Sequence, residues 1–207
     1  MAKRSEHSPE ELKALILNAA ELIVSEEGFT SLNVRRIARE IGYTVGSIYM
    51  VFENMADLIM QINARTLDNL ADSLMFVSDD KNQQYFELWA MNYLSFALQH
   101  FNQWSYALKY SLPATLGLET QAWYMAKVDK IFLSVEAKLA QLKPAQTEKE
   151  VKYAVRALLA GIQGICIFLI NEKNNTSEVK EIEEIISVLV RNFLRGWLID
   201  SNEISSI

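Results

Sequence analysis

The side chains best suited to covalent or metal chemistry are scarce in this sequence of 207 residues. It has one cysteine, Cys166, and two histidines, His7 and His100. A structural zinc site needs about four such ligands, and a catalytic triad needs a nucleophile beside a histidine. No glycine-rich loop of the kind that cradles phosphates accompanies them. The sequence therefore argues against an enzyme, and we expect no cofactor, no metal and no intrachain disulfide.

A different chemistry is concentrated between residues 33 and 49. Thr44, Ser47 and Tyr49 carry hydroxyls that can donate to the oxygens of a phosphate backbone. Asn33 and Arg36 begin the preceding segment and offer an amide and a guanidinium for the same purpose. These groups would need a scaffold that presents them together on one surface.

The sequence from residue 34 to residue 51 predicts such a scaffold, a helix-turn-helix. Ile37 faces the core, Ala38 is small enough for a second helix to cross it, and Gly42 suits a left-handed turn. Thr44 can cap the second helix, which Ile48 anchors to the core. The free face would enter a DNA groove, with specificity from hydroxyls, thymine methyl contacts and DNA shape. That free face consists of Thr44, Val45, Ser47 and Met50.

The rest of the chain is predicted to be helical throughout. Only 7 glycines and 3 prolines interrupt it, half of its residues are hydrophobic, and apolar residues recur at helical spacing. We predict an all-α fold of nine helices, in which an N-terminal three-helix domain precedes a C-terminal helical bundle. The predicted helices beyond the first domain are 54–78, 81–101, 103–111, 118–142, 147–172 and 177–199.

The N-terminal region resembles the DNA-binding domain of TetR-family transcriptional regulators. The resemblance covers about residues 10–60 and rests on Gly28-Phe29-Thr30, Ile37-Ala38, Gly42, Gly46-Ser47-Ile48-Tyr49, Phe52, Asn54 and Asp57-Leu58. It implies a homodimer with a DNA-binding domain at 1–53 and an effector-binding and dimerisation domain at 54–207. It also implies a repressor that a small-molecule effector releases from a palindromic operator. By analogy with the family, the predicted DNA-facing residues are Asn33, Arg36, Thr44, Val45, Gly46, Ser47 and Tyr49.

Two positions depart from the family pattern. Val51 stands where members commonly have a basic or imidazole residue, and Met55 where they commonly have lysine. Both family residues usually reach the phosphate backbone, and the chain has a formal net charge of −6. An alternative is therefore a helical dimeric binding protein whose degenerate helix-turn-helix makes protein contacts.

The aromatic residues of the central helices are candidates for an apolar or aromatic effector, although such stripes are often only core. We expect Gln163, on an otherwise apolar helix, to be buried and to need a hydrogen-bond partner. The candidate ligand-binding residues are Trp89, Tyr93, Phe96, Trp104, Trp123 and Gln163.

The last two helices are predicted to form the dimer interface, since a monomer of this size would struggle to cover both apolar surfaces. Two glycines would permit close helix approach, although an ordinary monomer core would use the same pattern. The candidate interface residues are Gly161, Gly164, Ile186, Val190, Phe193 and Trp197.

The charged N-terminal segment lacks an apolar leader, which favours the cytoplasm. The most apolar stretch, 153–170, contains Arg156 and Gln163. We interpret it as a buried helix and expect no membrane association.

Overall fold

A computed structural model describes residues 7–75, 82–170 and 176–199. Within these ranges the chain forms nine α-helices and no strand, which confirms the all-α prediction. The predicted end of the fourth helix at residue 78 lies outside the described residues. The eighth helix ends at Leu169, three residues before its predicted end at 172, because Ile170 has an extended backbone. The helices are α1 (Pro9–Glu27), α2 (Val34–Ile41), α3 (Val45–Tyr49), α4 (Met55–Met75), α5 (Asn82–Gln99), α6 (Phe101–Lys109), α7 (Leu118–Leu142), α8 (Glu148–Leu169) and α9 (Thr176–Leu198).

Local hydrogen bonds account for the helix starts. Ser8 and Glu11 form a reciprocal capping box at α1, and Thr147 and Glu150 form another at α8. Asn54 accepts a hydrogen bond from the backbone N–H of Asp57, as its spacing predicts. Each of these pairs satisfies backbone donors that the first helical turn leaves unpaired.

The start of α6 lies two residues before its predicted position. His100 separates α5 from α6, and its carbonyl accepts from the N–H of Trp104 at 2.8 Å. Asn102, which we expected near a break, instead donates its side-chain amide to the carbonyl of Ser25 at 2.9 Å. The side chain of Asn102 therefore makes a long-range contact with α1 and does not mark the start of a helix.

The described chain divides into two compact units that do not follow chain order. The first unit contains Met1–Leu67 and His100–Gln121, and the second contains Asp68–Gln99 and Ala122–Ile207. Thus α4 begins in the first unit and ends in the second, while α6 belongs to the first. The functional division at residue 53 stays a prediction about which segments bind DNA and effector.

The core of the first unit joins α1, α2, α3 and the start of α4. Its buried residues recur every three or four positions along α1, so one face of that helix supports the shorter helices. These residues are Leu12, Ile16, Leu17, Ala20, Ile23, Ile37, Ala38, Ile48, Phe52, Leu58 and Ile62.

In the second unit, α9 packs against both α5 and α8. Gly161 of α8 permits close approach, because a Cβ there would lie only 2.9 Å from Cδ2 of Leu189. The fully or nearly fully buried stripe of α9 has helical spacing and consists of Ile182, Ile186, Val190 and Leu194.

Candidate nucleic-acid interface

The turn between α2 and α3 has the geometry that a helix-turn-helix requires. Gly42 ends α2 in the left-handed region, at φ 71° and ψ 26°, where a residue with a Cβ is strained. The N–H of Tyr43 then donates to the carbonyl of Ala38 at 2.9 Å, a hydrogen bond typical of a Schellman C-cap. The position of Gly42 therefore sets the direction in which α3 leaves α2.

Helix α3 is anchored on one side and open on the other. Ile48 is 1% exposed and belongs to the core, and Val45 packs against that core while remaining partly exposed. Tyr49 is 45% exposed and Met50, which follows the helix, is 85% exposed. The open side of α3 is therefore the surface available for a groove of DNA.

The hydroxyls predicted to meet DNA already have partners within the chain. Oγ1 of Thr44 accepts from the backbone N–H of Ser47 at 3.2 Å and lies 2.9 Å from the Ser47 hydroxyl. Gly46 is exposed beside them, and a Cβ there would make only an ordinary contact. Thr44 and Ser47 thus hold the start of α3 together while remaining at the surface.

Asn33 and Arg36 also have structural roles. Asn33 caps α2 by accepting the N–H of Arg36 at 2.9 Å. The guanidinium of Arg36 is bidentate on the Glu27 carboxylate, with Nη1 donating to Oε2 at 2.6 Å and Nη2 donating to Oε1. This contact lowers the pKa of Glu27 and raises that of Arg36, so the pair remains ionised at neutral pH. Glu27 therefore competes with any phosphate for this guanidinium.

The charged residues near this surface lie outside the α3 segment. No residue between Glu40 and Glu53 is charged. Arg35 and Arg39 are exposed on α2, and the Arg39 side chain lies 3.9 Å from Glu40. The α3 surface is thus neutral, with two exposed arginines on the neighbouring helix.

Sequence reasoning placed Met50 on the free face, where the structure exposes it, but missed two contacts of this surface. Glu27 lies nine positions from Arg36, beyond the spacing that pairs residues on one helix. His7 lies 2.6 Å from the Tyr43 hydroxyl, a contact between residues 36 positions apart. No local pattern could have predicted either pairing.

The first unit also contains α6, which packs against the C-terminal end of α1. The rings of Phe29 and Tyr106 are stacked with their centroids 3.6 Å apart. Together with the Asn102–Ser25 hydrogen bond, this stacking joins α6 to the base of the helix-turn-helix domain.

The predicted ligand-binding residues lie in both units. Trp89, Tyr93 and Phe96 are buried in the second unit, and Trp89 has an indole N–H without a hydrogen-bond partner among the described residues. Trp104 is buried in the first unit beside Phe101. Trp123 is 44% exposed, with the Lys127 ammonium 4.9 Å from its ring centroid.

Gln163 differs from its expected environment. It is half-buried, not buried, because it lies on the side of α8 that the chain covers only in part. Solvent can therefore satisfy part of its hydrogen-bonding capacity, and the need for a buried partner disappears.

The predicted dimer-interface residues differ in how much of their surface remains exposed for contact with a partner chain. Ile186 and Val190 are fully buried within the chain, and Gly161 contacts Leu189 of the same chain. Phe193 and Trp197 are partly exposed, and a Cβ at Gly164 would meet no heavy atom of the described chain within 4 Å. Ile186 and Val190 therefore support the core of one chain, which leaves them no surface for a partner.

Known proteins with a similar sequence match the N-terminal part of the chain. Residues 16–62 match the tetR family of bacterial regulatory proteins. An HTH-type transcriptional regulator of Staphylococcus aureus strain USA300 is 30% identical over 66 residues, 32% of this chain and 36% of the relative. The chain thus spans only about a third of the length of the curated relatives it matches.

Solved structures resemble the chain over most of its length. A protein of unknown function from Rhodococcus sp. RHA1 has a TM-score of 0.71 at 17% identity, covering 94% of this chain and 98% of its own. A TetR-family regulator from Streptomyces coelicolor has a TM-score of 0.66 at 17% identity, with 90% and 80% covered. The TetR-family regulator PfmR from Thermus thermophilus has a TM-score of 0.63 at 15% identity, with 85% and 97% covered. At these identities the likeness establishes the fold.

The described helices and the α2–Gly42–α3 turn define an all-helical protein with an N-terminal helix-turn-helix domain. Residues 16–62 within that domain match the tetR family of bacterial regulatory proteins, as the sequence resemblance predicts.

Proposed function

We propose that the protein is a sequence-specific DNA-binding regulator of transcription. The observation that carries this proposal is the α2–α3 pair, in which Gly42 sets the turn and Ile48 anchors α3. The opposite side of α3 exposes Thr44, Tyr49 and Met50, a surface of the size and polarity that fits a major groove.

The chemistry of this surface favours a particular mode of recognition. Arg35 and Arg39 supply phosphate attraction from α2, while α3 supplies hydroxyls and a methionine side chain. Met50 offers a flexible apolar group to thymine methyls, and Tyr49 offers a hydroxyl to the backbone. We infer a preference for A·T-containing half-sites with a large contribution from DNA shape.

The exposed surface of the second unit supports homodimer formation. An apolar stripe at helical spacing remains uncovered along α8, and Ile185 and Val188 are exposed on α9. Two copies related by a twofold axis would bury these stripes in a four-helix arrangement. The α8 stripe consists of Tyr153, Ala157, Ala160, Gly164, Ile167 and Phe168.

By its length and hydropathy α8 could span a membrane, and it is the one helix among the described residues that meets this criterion. Core and interface helices of water-soluble proteins meet the same criterion. We assign the exposed stripe to the dimer and the protein to the cytoplasm, in keeping with its DNA-binding domain.

The release mechanism that we propose is a population shift driven by an apolar or aromatic small molecule. In the second unit, the rings of Trp89 and Tyr93 are stacked with centroids 6.0 Å apart, and Phe96 is buried on the same helix. The indole N–H of Trp89, unpartnered among the described residues, can donate to a ligand acceptor. Helix α4 connects this unit covalently to the DNA-binding unit. An effector that favours another dimer conformation would weaken operator binding by its differential affinity for the two states, which is repression with induced release.

The decisive experiment is selection from a random duplex pool with the purified full-length protein at two salt concentrations. We expect enrichment of a palindrome whose half-site centres lie about one helical turn, roughly 34–36 Å, apart. Tyr49→Phe together with Met50→Ala should weaken binding to the selected site while leaving the helical circular dichroism unchanged, because both side chains are exposed.

Dimer formation has its own test. Gly164→Arg places a charge in the α8 stripe, at a position where a Cβ meets no heavy atom of the described chain within 4 Å, and Ala137→Arg on the exposed side of α7 is the matched control. Light scattering should report monomer for the first variant and dimer for the second. If the wild-type dimer enriches no palindrome, the alternative function, a dimer that uses its helix-turn-helix for protein contacts, is favoured; the Glu27–Arg36 pair and the net charge of −6 support that alternative.

A further inference from the structure

A groove with a volume of about 460 Å³ runs between α1 and α2 in the first unit. Its size is within the range of small-molecule sites, roughly 300–1,000 Å³. Neither the α3 surface nor the aromatic residues of the second unit contribute to it. The residues that line it are Leu15, Asn18, Ala19, Leu22, Ile23, Glu26, Arg36, Glu40 and Ile41.

The walls of this α1–α2 groove are apolar and partly open to solvent. Leu22 is 59% exposed, and Leu15 and Ile41 are half-buried around it. Leu15, Ala19 and Leu22 recur at helical spacing on α1, so they form one continuous strip. Ala19 of this strip and Ile41 of α2 also pack against the core of the unit, whereas Leu15 and Leu22 are not among the residues of that core.

The polar residues at the groove have a distinct charge arrangement. Glu26 of α1 and Glu40 of α2 are both exposed, so each helix contributes one carboxylate. Glu40 also lies 3.9 Å from the Arg39 side chain, and because both side chains are largely exposed this pair is weak and leaves the carboxylate solvated. Arg36 lies on the same groove, but its charge is held by the Glu27 carboxylate through both Nη atoms.

Apolar walls with carboxylates at the edge match a cation with an apolar body. The same carboxylates would repel a DNA phosphate or a fatty acid. An amphipathic amine satisfies both features, because its hydrocarbon covers the leucines while its ammonium remains at the solvated edge near the carboxylates.

We propose that the α1–α2 groove binds small amphipathic amines, with the ammonium at Glu26 and Glu40 and the apolar body on Leu15, Leu22 and Ile41. Such a ligand would contact both helices of the domain that carries the recognition surface. The inference rests on the groove alone and does not depend on the proposed function.

The test uses n-octylamine on the full-length protein with isotope-labelled leucine and isoleucine methyl groups. Octanoate and n-octanol carry the same hydrocarbon with a negative and a neutral head. We expect saturable shifts of the Leu15, Leu22 and Ile41 methyl signals with n-octylamine, and at least tenfold weaker effects with the other two compounds.

Substitutions then test the charge requirement. The double variant Glu26→Gln/Glu40→Gln should bind n-octylamine about tenfold more weakly, the scale of two partly solvated ion pairs. Glu183→Gln/Glu184→Gln, two exposed glutamates on α9, is the matched control and should bind as the wild type does. Leu22→Asn tests the apolar wall at a residue already largely exposed, and it should also weaken binding.

Three results would overturn the proposal. Equal shifts with all three compounds would show non-specific hydrophobic association. Unchanged binding by the glutamine double variant would remove the charge argument. Shifts confined to methyl groups of the second unit would place the amine among the aromatic residues there.

Discussion

The Glu27–Arg36 pair allows a quantitative prediction about DNA binding. Arg35 and Arg39 are the exposed cations of α2, whereas Arg36 is occupied by Glu27. A dimer therefore presents four such cations from its two copies of α2. If each contacts one phosphate, the logarithm of the binding constant should fall with the logarithm of salt at a slope of about −3.6.

Glu27→Gln removes the charge that holds Arg36 and frees its guanidinium for one additional phosphate in each protomer. The slope should then steepen by about 1.8, to about −5.4. Over a fourfold rise in salt, the wild type should lose roughly 150-fold in affinity and the variant roughly 1,800-fold. Because the contact with Arg36 lowers the pKa of Glu27, its carboxylate stays ionised across the neutral range, and lowering the pH within that range should not reproduce the effect.

The assay is a fluorescence anisotropy titration of the selected operator at several salt concentrations. Glu26→Gln is the control, since it makes the same change in net charge one position away without removing the bidentate pair. Its slope should match that of the wild type. If Glu27→Gln and Glu26→Gln give the same slope, Arg36 is a structural residue and its predicted role at the phosphates is refuted.

Three further predictions concern the folded chain. Gly161→Leu should destabilise it by about 1–3 kcal/mol in chemical denaturation, because the side chain would force α8 from Leu189; no loss would mean that the two helices separate freely. Asn63 is fully buried with both amide atoms unpaired among the described residues, so Asn63→Leu should raise the free energy of unfolding by about 1–3 kcal/mol, and a decrease would reveal a partner for that amide. Burial raises the pKa of Cys166 to about 12, so a thiol reagent at neutral pH should label denatured but not native protein; rapid native labelling would show that α8 opens.

Local sequence patterns were sufficient to predict the helices and most of their ends. Ser8 with Glu11 and Asn54 with Asp57 cap their helices through groups only three positions apart, a spacing that the sequence alone shows. Gly42 adopts the left-handed turn for the same local reason. The helix-turn-helix and its family resemblance follow from such short-range patterns.

Tertiary structure decided which side chains remain available at the surface. The sequence determined that Arg36 lies in the first turn of α2 and that Ile186 and Val190 share an apolar face of α9. Only the fold places Glu27 against Arg36 and buries both α9 residues within one chain, leaving the α8 stripe exposed instead. Helical periodicity shows which residues share a face, but the neighbour that covers that face comes from a distant part of the chain.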